Sequence, residues 1–392
     1  MSKCCMVKVG KLFGIVFVLV LLLQVFLFSA VAYSDTWVSK RSIPIELVDG
    51  GCVTTSDGMI YAISGNGNNV MYNPTTDTWT SKASMPTNRT HFGIASYENK
   101  IYVIGGSGEQ FRVEGSAGST TNINEVYDTE KDTWETKASM PTDRENFSAN
   151  AVNGKIYVAG GYKNGMGLAD IGYRFDINYV YDISTDTWSN KTSPPQNVDV
   201  YRSVVIDDKI HLLRAGSSLF GPISNAELSQ HMIYEVKTDV WSFGALMPTP
   251  VIGDPEIGAI GATVGDLAPK RIYAIGGGSK GDLVQVYDPE SDTWSTGSSM
   301  PVSRSGFSVA VVADLLYVIG GYDSDGCASA ANDMYIPLGY NTSALPPDSN
   351  TSPKDKLVSI DIVLVTVVAV VLVSITVAIV FRFKKGKHKH KL

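Results

Sequence analysis

Ile101-Tyr102-Val103-Ile104-Gly105-Gly106, then Val126-Tyr127-Asp128, then Lys131-Asp132-Thr133-Trp134: the order of these three short motifs decides the fold, because it recurs along the chain. The glycine-ended apolar run returns as Ile60-Tyr61-Ala62-Ile63-Ser64-Gly65, Ile156-Tyr157-Val158-Ala159-Gly160-Gly161, Ile272-Tyr273-Ala274-Ile275-Gly276-Gly277 and Leu316-Tyr317-Val318-Ile319-Gly320-Gly321. A degenerate copy reads Ile210-His211-Leu212-Leu213-Arg214. Tyr-Asp returns at Tyr181-Asp182 and Tyr287-Asp288. All six tryptophans, at 37, 79, 134, 188, 241 and 294, follow Asp-Thr or Asp-Val, at intervals of 42, 55, 54, 53 and 53 residues. Three registers held in phase over about 300 residues identify a repeat architecture.

The apolar runs, rich in β-branched and aromatic residues, predict short buried strands. Paired glycines end a strand where the chain must turn at positive φ. The segments 74–77, 129–132 and 289–292 carry turn residues that join a third and a fourth strand. Each repeat therefore predicts four strands, a to d from the axis outwards. Trp37 marks a fourth strand with no blade before it, and the last repeat, with strands near 306–312, 315–320 and 332–337, has no tryptophan after it. The ring then closes by residues 36–41 supplying the missing outer strand, which removes an open edge. Six blades follow, with seven as the alternative. These motifs resemble the kelch family, whose repeat of about 50 residues forms a four-stranded propeller blade. The resemblance covers residues 34–340. It implies an all-β fold, a six-bladed kelch-type β-propeller, and leaves function open, since propellers host binders and enzymes alike.

Outside the repeats the chain changes character. Residues 1–32 carry Lys3, Lys8 and Lys11, an apolar run over 12–28 and Ala30-Val31-Ala32, which together read as a secretory signal, with an uncleaved anchor as the alternative. Residues 33–340 form the propeller, and 341–356 form a polar stalk. Residues 357–381 contain 20 uncharged positions, 362–381, long enough for a membrane-spanning helix. The tail, 382–392, holds Arg382, Lys384, Lys385, Lys387, Lys389 and Lys391, which sets it on the cytoplasmic side and the propeller outside the cell. Without the three N-terminal lysines, the six basic tail residues and Asp361, 23 basic residues face 38 acidic ones, a net charge of −15. That balance argues against nucleic acid as a partner. Sequons at Asn88, Asn146, Asn190, Asn341 and Asn350 are compatible with glycosylation outside the cell. Cys52 and Cys327 fall on adjoining blades and at the same mouth, and an oxidising compartment makes a disulfide between them the expectation, against two unpaired thiols.

No specific catalytic set emerges, and no cofactor is expected. Some kelch-like propellers are copper oxidases, but His91, His211 and His231 fall on separate strands and are not expected to converge on a metal. A kelch-type sialic acid mutarotase of bacterial envelopes is a second analogue in fold and compartment, with no catalytic residue matched here. Three connections between blades read Met85-Pro86-Thr87-Asn88-Arg89, Met140-Pro141-Thr142-Asp143-Arg144 and Met300-Pro301-Val302-Ser303-Arg304, each arginine three residues before Phe92, Phe147 or Phe307. Arg89, Arg144 and Arg304 therefore gather near one mouth of the channel. They either form an electropositive arc for a carboxylate, acidic peptide or anionic sugar, or pair with a loop Asp or a carbonyl of the neighbouring blade. The aligned positions in the other blades hold Leu47, Val198 and Val251. Long loops at 107–121, 162–172 and 215–229 open on the same mouth, with Phe111, Tyr162, Phe220 and Tyr322 as candidate contacts. The expected function is cell-surface recognition of a protein or glycan ligand without catalysis; a sugar-active enzyme or a structural surface component are the alternatives.

Overall fold

The computed structural model describes residues 35–345, apart from 48, 112–118, 164–172, 175–176, 197–200, 215–228, 250–258 and 277–280. Six four-stranded antiparallel sheets follow one another along the chain. Strand β1 (Thr36–Ser39) comes first. Blade 1 is β2 (Gly51–Thr54), β3 (Ile60–Ile63), β4 (Asn69–Asn73) and β5 (Thr78–Lys82); blade 2 is β6 (Gly93–Tyr97), β7 (Lys100–Ile104), β8 (Asn124–Asp128) and β9 (Thr133–Lys137). Blade 3 is β10 (Ser148–Val152), β11 (Lys155–Ala159), β14 (Asn178–Asp182) and β15 (Thr187–Lys191), with a two-stranded ribbon, β12 (Tyr162–Lys163) and β13 (Tyr173–Arg174), in its second loop. Blade 4 is β16 (Tyr201–Ile206), β17 (Lys209–Arg214), β18 (His231–Glu235) and β19 (Val240–Phe243); blade 5 is β20 (Ala259–Thr263), β21 (Arg271–Ile275), β22 (Val284–Asp288) and β23 (Thr293–Thr296). Blade 6 contributes β24 (Ser308–Val312), β25 (Leu315–Ile319) and β26 (Asn332–Ile336).

The ring closes as the strand count requires. β1 pairs antiparallel with β26, Thr36 opposite Ile336 and Ser39 opposite Asp333, so the outer strand of the last blade comes from the start of the domain. The same register brings both ends of the propeller to one face, the face of the tight turns. The first part of the expected stalk is not free. Tyr340 is buried, the Asn341 amide donates to the Leu267 carbonyl at 2.7 Å, and Asn341 caps a short 3-10 turn over Thr342–Ala344. Folded chain therefore continues to residue 345, because Tyr340 completes the apolar cluster beneath blades 1 and 6. Among the described residues no helix is long and apolar enough to cross a membrane. The expected signal, span and tail, with Asn350, lie outside the described residues.

One staple explains the Tyr–Asp–Trp motif. In blade 2 the Asp132 carboxylate accepts the Tyr127 hydroxyl of its own blade and the Ala83 amide of the blade before, at 2.5 and 2.7 Å. The Trp134 indole then donates to the Ala83 carbonyl at 2.8 Å. Trp37, Trp79, Trp188, Trp241 and Trp294 repeat that bond to Ser298, Arg41, Ala138, Thr192 and Ala245. Asp77, Asp132, Asp186, Asp239 and Asp292 all sit at φ between 51° and 57°, a left-handed conformation that aspartate tolerates better than most residues. The seam from blade 6 to blade 5 uses Asp35 in the same way, taking the Tyr335 hydroxyl and the Ser298 amide. Six equal seams thus bind a ring whose second strands are almost wholly buried.

The expected disulfide is absent. Cys52 lies buried in β2 opposite Ala62, inside the cluster of Ile60, Ala62 and Ala310, whereas Cys327 is exposed in the turn begun by Asp323. Burial pushes the Cys52 thiol up to about 12, so it behaves as an apolar core residue. His211 and His231 meet inside blade 4, Nδ1 to Nε2 at 2.9 Å, because β17 and β18 pair Leu213 with His231 and His211 with Ile233.

Candidate functional site: the mouth of the propeller

At the mouth the connections between blades meet the loops that follow each second strand. Antiparallel bridges fix this layer: Thr90 with Ser107, Glu145 with Tyr162, and Ser305 with Tyr322. Gly105 and Gly106 take φ of 62° and 101° there, and a Cβ on Gly105 would stand 2.7 Å from the Arg144 carbonyl oxygen. The glycine pair is what lets one blade approach the next at this level.

The three arginines do not form an arc open to a ligand. Arg89, Arg144 and Arg304 are 1%, 0% and 3% exposed. Arg89 donates to the carbonyls of Gly105, Thr87 and Val103 and pairs with Glu125. Arg144 donates to the Gly160 carbonyl and the Thr142 hydroxyl, and its guanidinium carbon stands 4.9 Å from the Tyr179 ring centroid. Arg304 donates to the Gly320 carbonyl and pairs with Asp333 at 2.6 Å. The arginines are paired, as the alternative has it, but with groups of the blade that each introduces and not of the neighbouring blade. The physical reason is carbonyl supply: the glycine turn leaves strand-end carbonyls unpaired inside the protein, and a guanidinium has donors enough to satisfy several. Phe92, Phe147 and Phe307 are buried as well.

What faces the mouth is a different set. His91 lies between Asp49 of blade 1 at 3.6 Å and Glu145 of blade 3 at 3.5 Å, with side-chain exposures of 33%, 26% and 4%. Burial pushes the imidazole down, but the carboxylates of Asp49 and Glu145 outweigh it and raise His91 to about 9. Glu145 also accepts the Ser107 hydroxyl. Asp49, His91, Asn146 and Gly306 occupy matching left-handed positions, φ 50° to 62°. The His91 amide donates to the Asp49 carbonyl, and the Asn146 amide to the His91 carbonyl. The sequence signal for this rim lies two residues after each arginine, and two after Leu47 in blade 1. Tyr162 is buried and accepts from Asn146 Nδ2 at 2.8 Å, so it braces the rim. Tyr322 bridges Ser305 and Ala328, and Phe111, itself half-buried, ends a 3-10 turn over Glu109–Phe111. Phe220, Val198 and Val251 lie outside the described residues. Among the described residues no group of three or more His, Cys, Asp or Glu side chains is arranged to hold a metal ion.

Comparison with known proteins recovers the repeat in three of the blades. The kelch motif matches residues 88–141, 143–195 and 303–338, the three blades introduced by Arg89, Arg144 and Arg304. The chain is 24% identical over 298 residues to Kelch-like protein 36 of Bos taurus, covering 72% of this chain and 45% of that protein. It is 28% identical over 291 residues to Kelch-like protein terF of Aspergillus terreus, covering 69% and 57%. Beta-scruin of Limulus polyphemus is 27% identical over 237 residues, 57% of this chain and 24% of that protein. The chain thus spans about half the length, or less, of these curated relatives. A solved structure described as that of YjhT superposes with a TM-score of 0.61 at 18% identity, covering 75% of this chain and 95% of the other, a likeness of fold. With its six Tyr–Asp–Trp seams, this chain is a six-bladed propeller that carries kelch motifs in three of its blades.

Proposed function

We propose that this chain is a membrane-anchored recognition module that displays a kelch propeller outside the cell and binds a protein ligand at the mouth. The observation that carries this reading is the polar rim of Asp49, His91 and Tyr322 set on a rigid stapled ring, the arrangement in which loops on a fixed scaffold bind partners. A glycan ligand is the narrower variant of the same reading. An acidic ligand loses its main support, since the arginines that would hold it are buried. The sugar-active alternative asks for carboxylates open to the channel beside the arginines; Glu125 and Asp333 stand there but are closed in ion pairs with Arg89 and Arg304.

Proximity labelling on intact cells tests it with the full-length chain. Surface proteins labelled by the native chain should lose their label when Asp49, His91 and Tyr322 are all replaced by Ala. Labelled partners that persist unchanged on a folded triple variant would remove the mouth as the binding face. Failure of an externally added protease to reach the propeller would remove the extracellular placement, and a glycan array separates carbohydrate from protein.

A further inference from the structure

Blade 4 departs from the repeat at two positions, and the two departures touch. At one matching place in the second strand the other five blades carry tyrosine, Tyr61, Tyr102, Tyr157, Tyr273 and Tyr317; in blade 4 it is His211. The first residue of the third strand is Asn69, Asn124, Asn178 and Asn332 in four blades, each donating across to a carbonyl after an outer strand; in blade 4 it is His231. The imidazoles share one hydrogen bond at 2.9 Å and are 3% and 0% exposed. His231 also meets Tyr287 of blade 5 edge to face, centroids 4.6 Å apart, and stands 6.1 Å from Trp294, the indole that staples blade 5 to blade 4. Gly244 leaves the room this needs: a Cβ there would stand 2.7 Å from His231 Cε1.

We propose that the His211–His231 pair is an acid-sensitive catch: the seam between blades 4 and 5 is closed while both imidazoles are neutral, and it yields ahead of the other seams when the surroundings turn acidic. A shared N–H···N bond needs one ring to accept, so a second proton has no place in it. A single proton would put a charge in a site with little water, which is costly. The charged groups around the pair do not offset this. The Asp292 carboxylate favours a proton on His231 but already accepts the Tyr287 hydroxyl and the Ala245 amide. Lys209 opposes a proton on His211 while Asp207 favours one, and these two are themselves paired with Glu235 and Lys270. Arg271 on β21 pairs with Asp288 on β22. Burial, and for His211 the neighbouring His231, hold the pair near 3 and 4 while the fold is intact. An unfolded histidine titrates near 6.5. The opened state therefore takes up protons that the closed state refuses, and stability falls as pH drops from about 6.5 towards 4. Each histidine contributes about a tenfold loss in the folded-to-unfolded ratio per pH unit in that window, so the pair contributes about a hundredfold.

Urea unfolding of the full-length chain, followed by tryptophan fluorescence at pH 7.5 and 5.5, tests the catch. A double variant, His211→Tyr with His231→Asn, returns blade 4 to the residues of its neighbours. The native chain should lose about a hundredfold more of its folded-to-unfolded ratio on acidification than the variant does. Equal losses would overturn the proposal. Should the variant not fold, hydrogen exchange of the native chain, corrected for the intrinsic pH dependence, decides the matter. Peptides spanning His231–Glu235 and Val284–Asp288 should lose protection at pH 5.5 before those of blades 1 to 3. Uniform loss around the ring would overturn it.

Discussion

Arg89 answers to Glu125, Arg144 to the Tyr179 ring and Arg304 to Asp333, each the second residue of the third strand of the blade that the arginine introduces; at the matching places of blade 1, Leu47 and Val70 belong to one apolar cluster. One position therefore exists in a charged and an apolar version within a single molecule, which makes the worth of the charge measurable. Removing one partner of a buried ion pair strands the other and costs about 3–5 kcal/mol, whereas replacing both with apolar groups is close to neutral. Arg89→Leu alone should lower the urea midpoint by an amount in that range. Arg89→Leu with Glu125→Val, which copies blade 1, should recover most of it. A double variant no better than the single would mean that the Gly105 and Val103 carbonyls, and not Glu125, are what Arg89 is there for. The sequons divide on similar grounds. Asn190 is exposed on an outer strand, while Asn146 has positive φ and its Nδ2 committed to Tyr162. Peptide mapping of protein recovered from the cell surface should find glycan on Asn190 and none on Asn146; the reverse occupancy would mean that modification precedes and overrides this packing.

At the scale of the strand, β1 is, among the described residues, the only outer strand that is not next in sequence to its partner, so closure hangs on four residues, Thr36–Ser39. Deleting residues 36–41 removes the β26 pairing, the Trp37 indole bond to Ser298 and the contact of Arg41 with Asp77. The bared edge of β26 should then recruit another chain, and sedimentation should show oligomers together with a broadened unfolding transition. A monomer of unchanged midpoint would show that the closing strand is dispensable. The architecture was legible because each motif is a local commitment: glycine pairs end strands, Asx turns at Asn73, Asp128 and Asp182 set hairpins, and the tryptophans count blades. What could not be read was the direction of side chains across seams. Whether Arg89 points into the channel or back at Gly105 depends on a carbonyl left unpaired by a turn 16 residues away. That His211 meets His231 depends on the register of two strands separated by a long loop, and a one-residue slip would part them. Asp49, His91 and Glu145 come from three different blades and become neighbours only once the ring has closed.

For the whole ring, two sets of histidines pull the pH profile in opposite directions. The pair in blade 4 is held neutral, so its contribution is complete above about 6.5 and lost as pH falls below it. His91 behaves inversely. Its neighbours Asp49 and Glu145, the latter also bonded to Ser107, raise it to about 9. A group whose folded value lies above its unfolded one stabilises fully below the unfolded value and loses that contribution as pH rises through the folded one. His91 should therefore stabilise the propeller at pH 6.5 and cease to do so by about pH 9, and stability should crest near pH 6.5, between the two slopes. The carboxylates held low by their partners, such as Asp132 by Tyr127 and the Ala83 amide, act only below about pH 4 and leave this window undisturbed. His91 is one-third exposed, so solvent screening reduces its share to about 1–2 kcal/mol. His91→Asn keeps a residue that tolerates the left-handed backbone, as Asn146 does in blade 3. It should remove the decline in unfolding midpoint between pH 6.5 and 9 while leaving the acid side as it is in the native chain. An alkaline slope that survives the substitution would show that the Asp49–His91–Glu145 bridge does not hold blades 1, 2 and 3 together at the mouth.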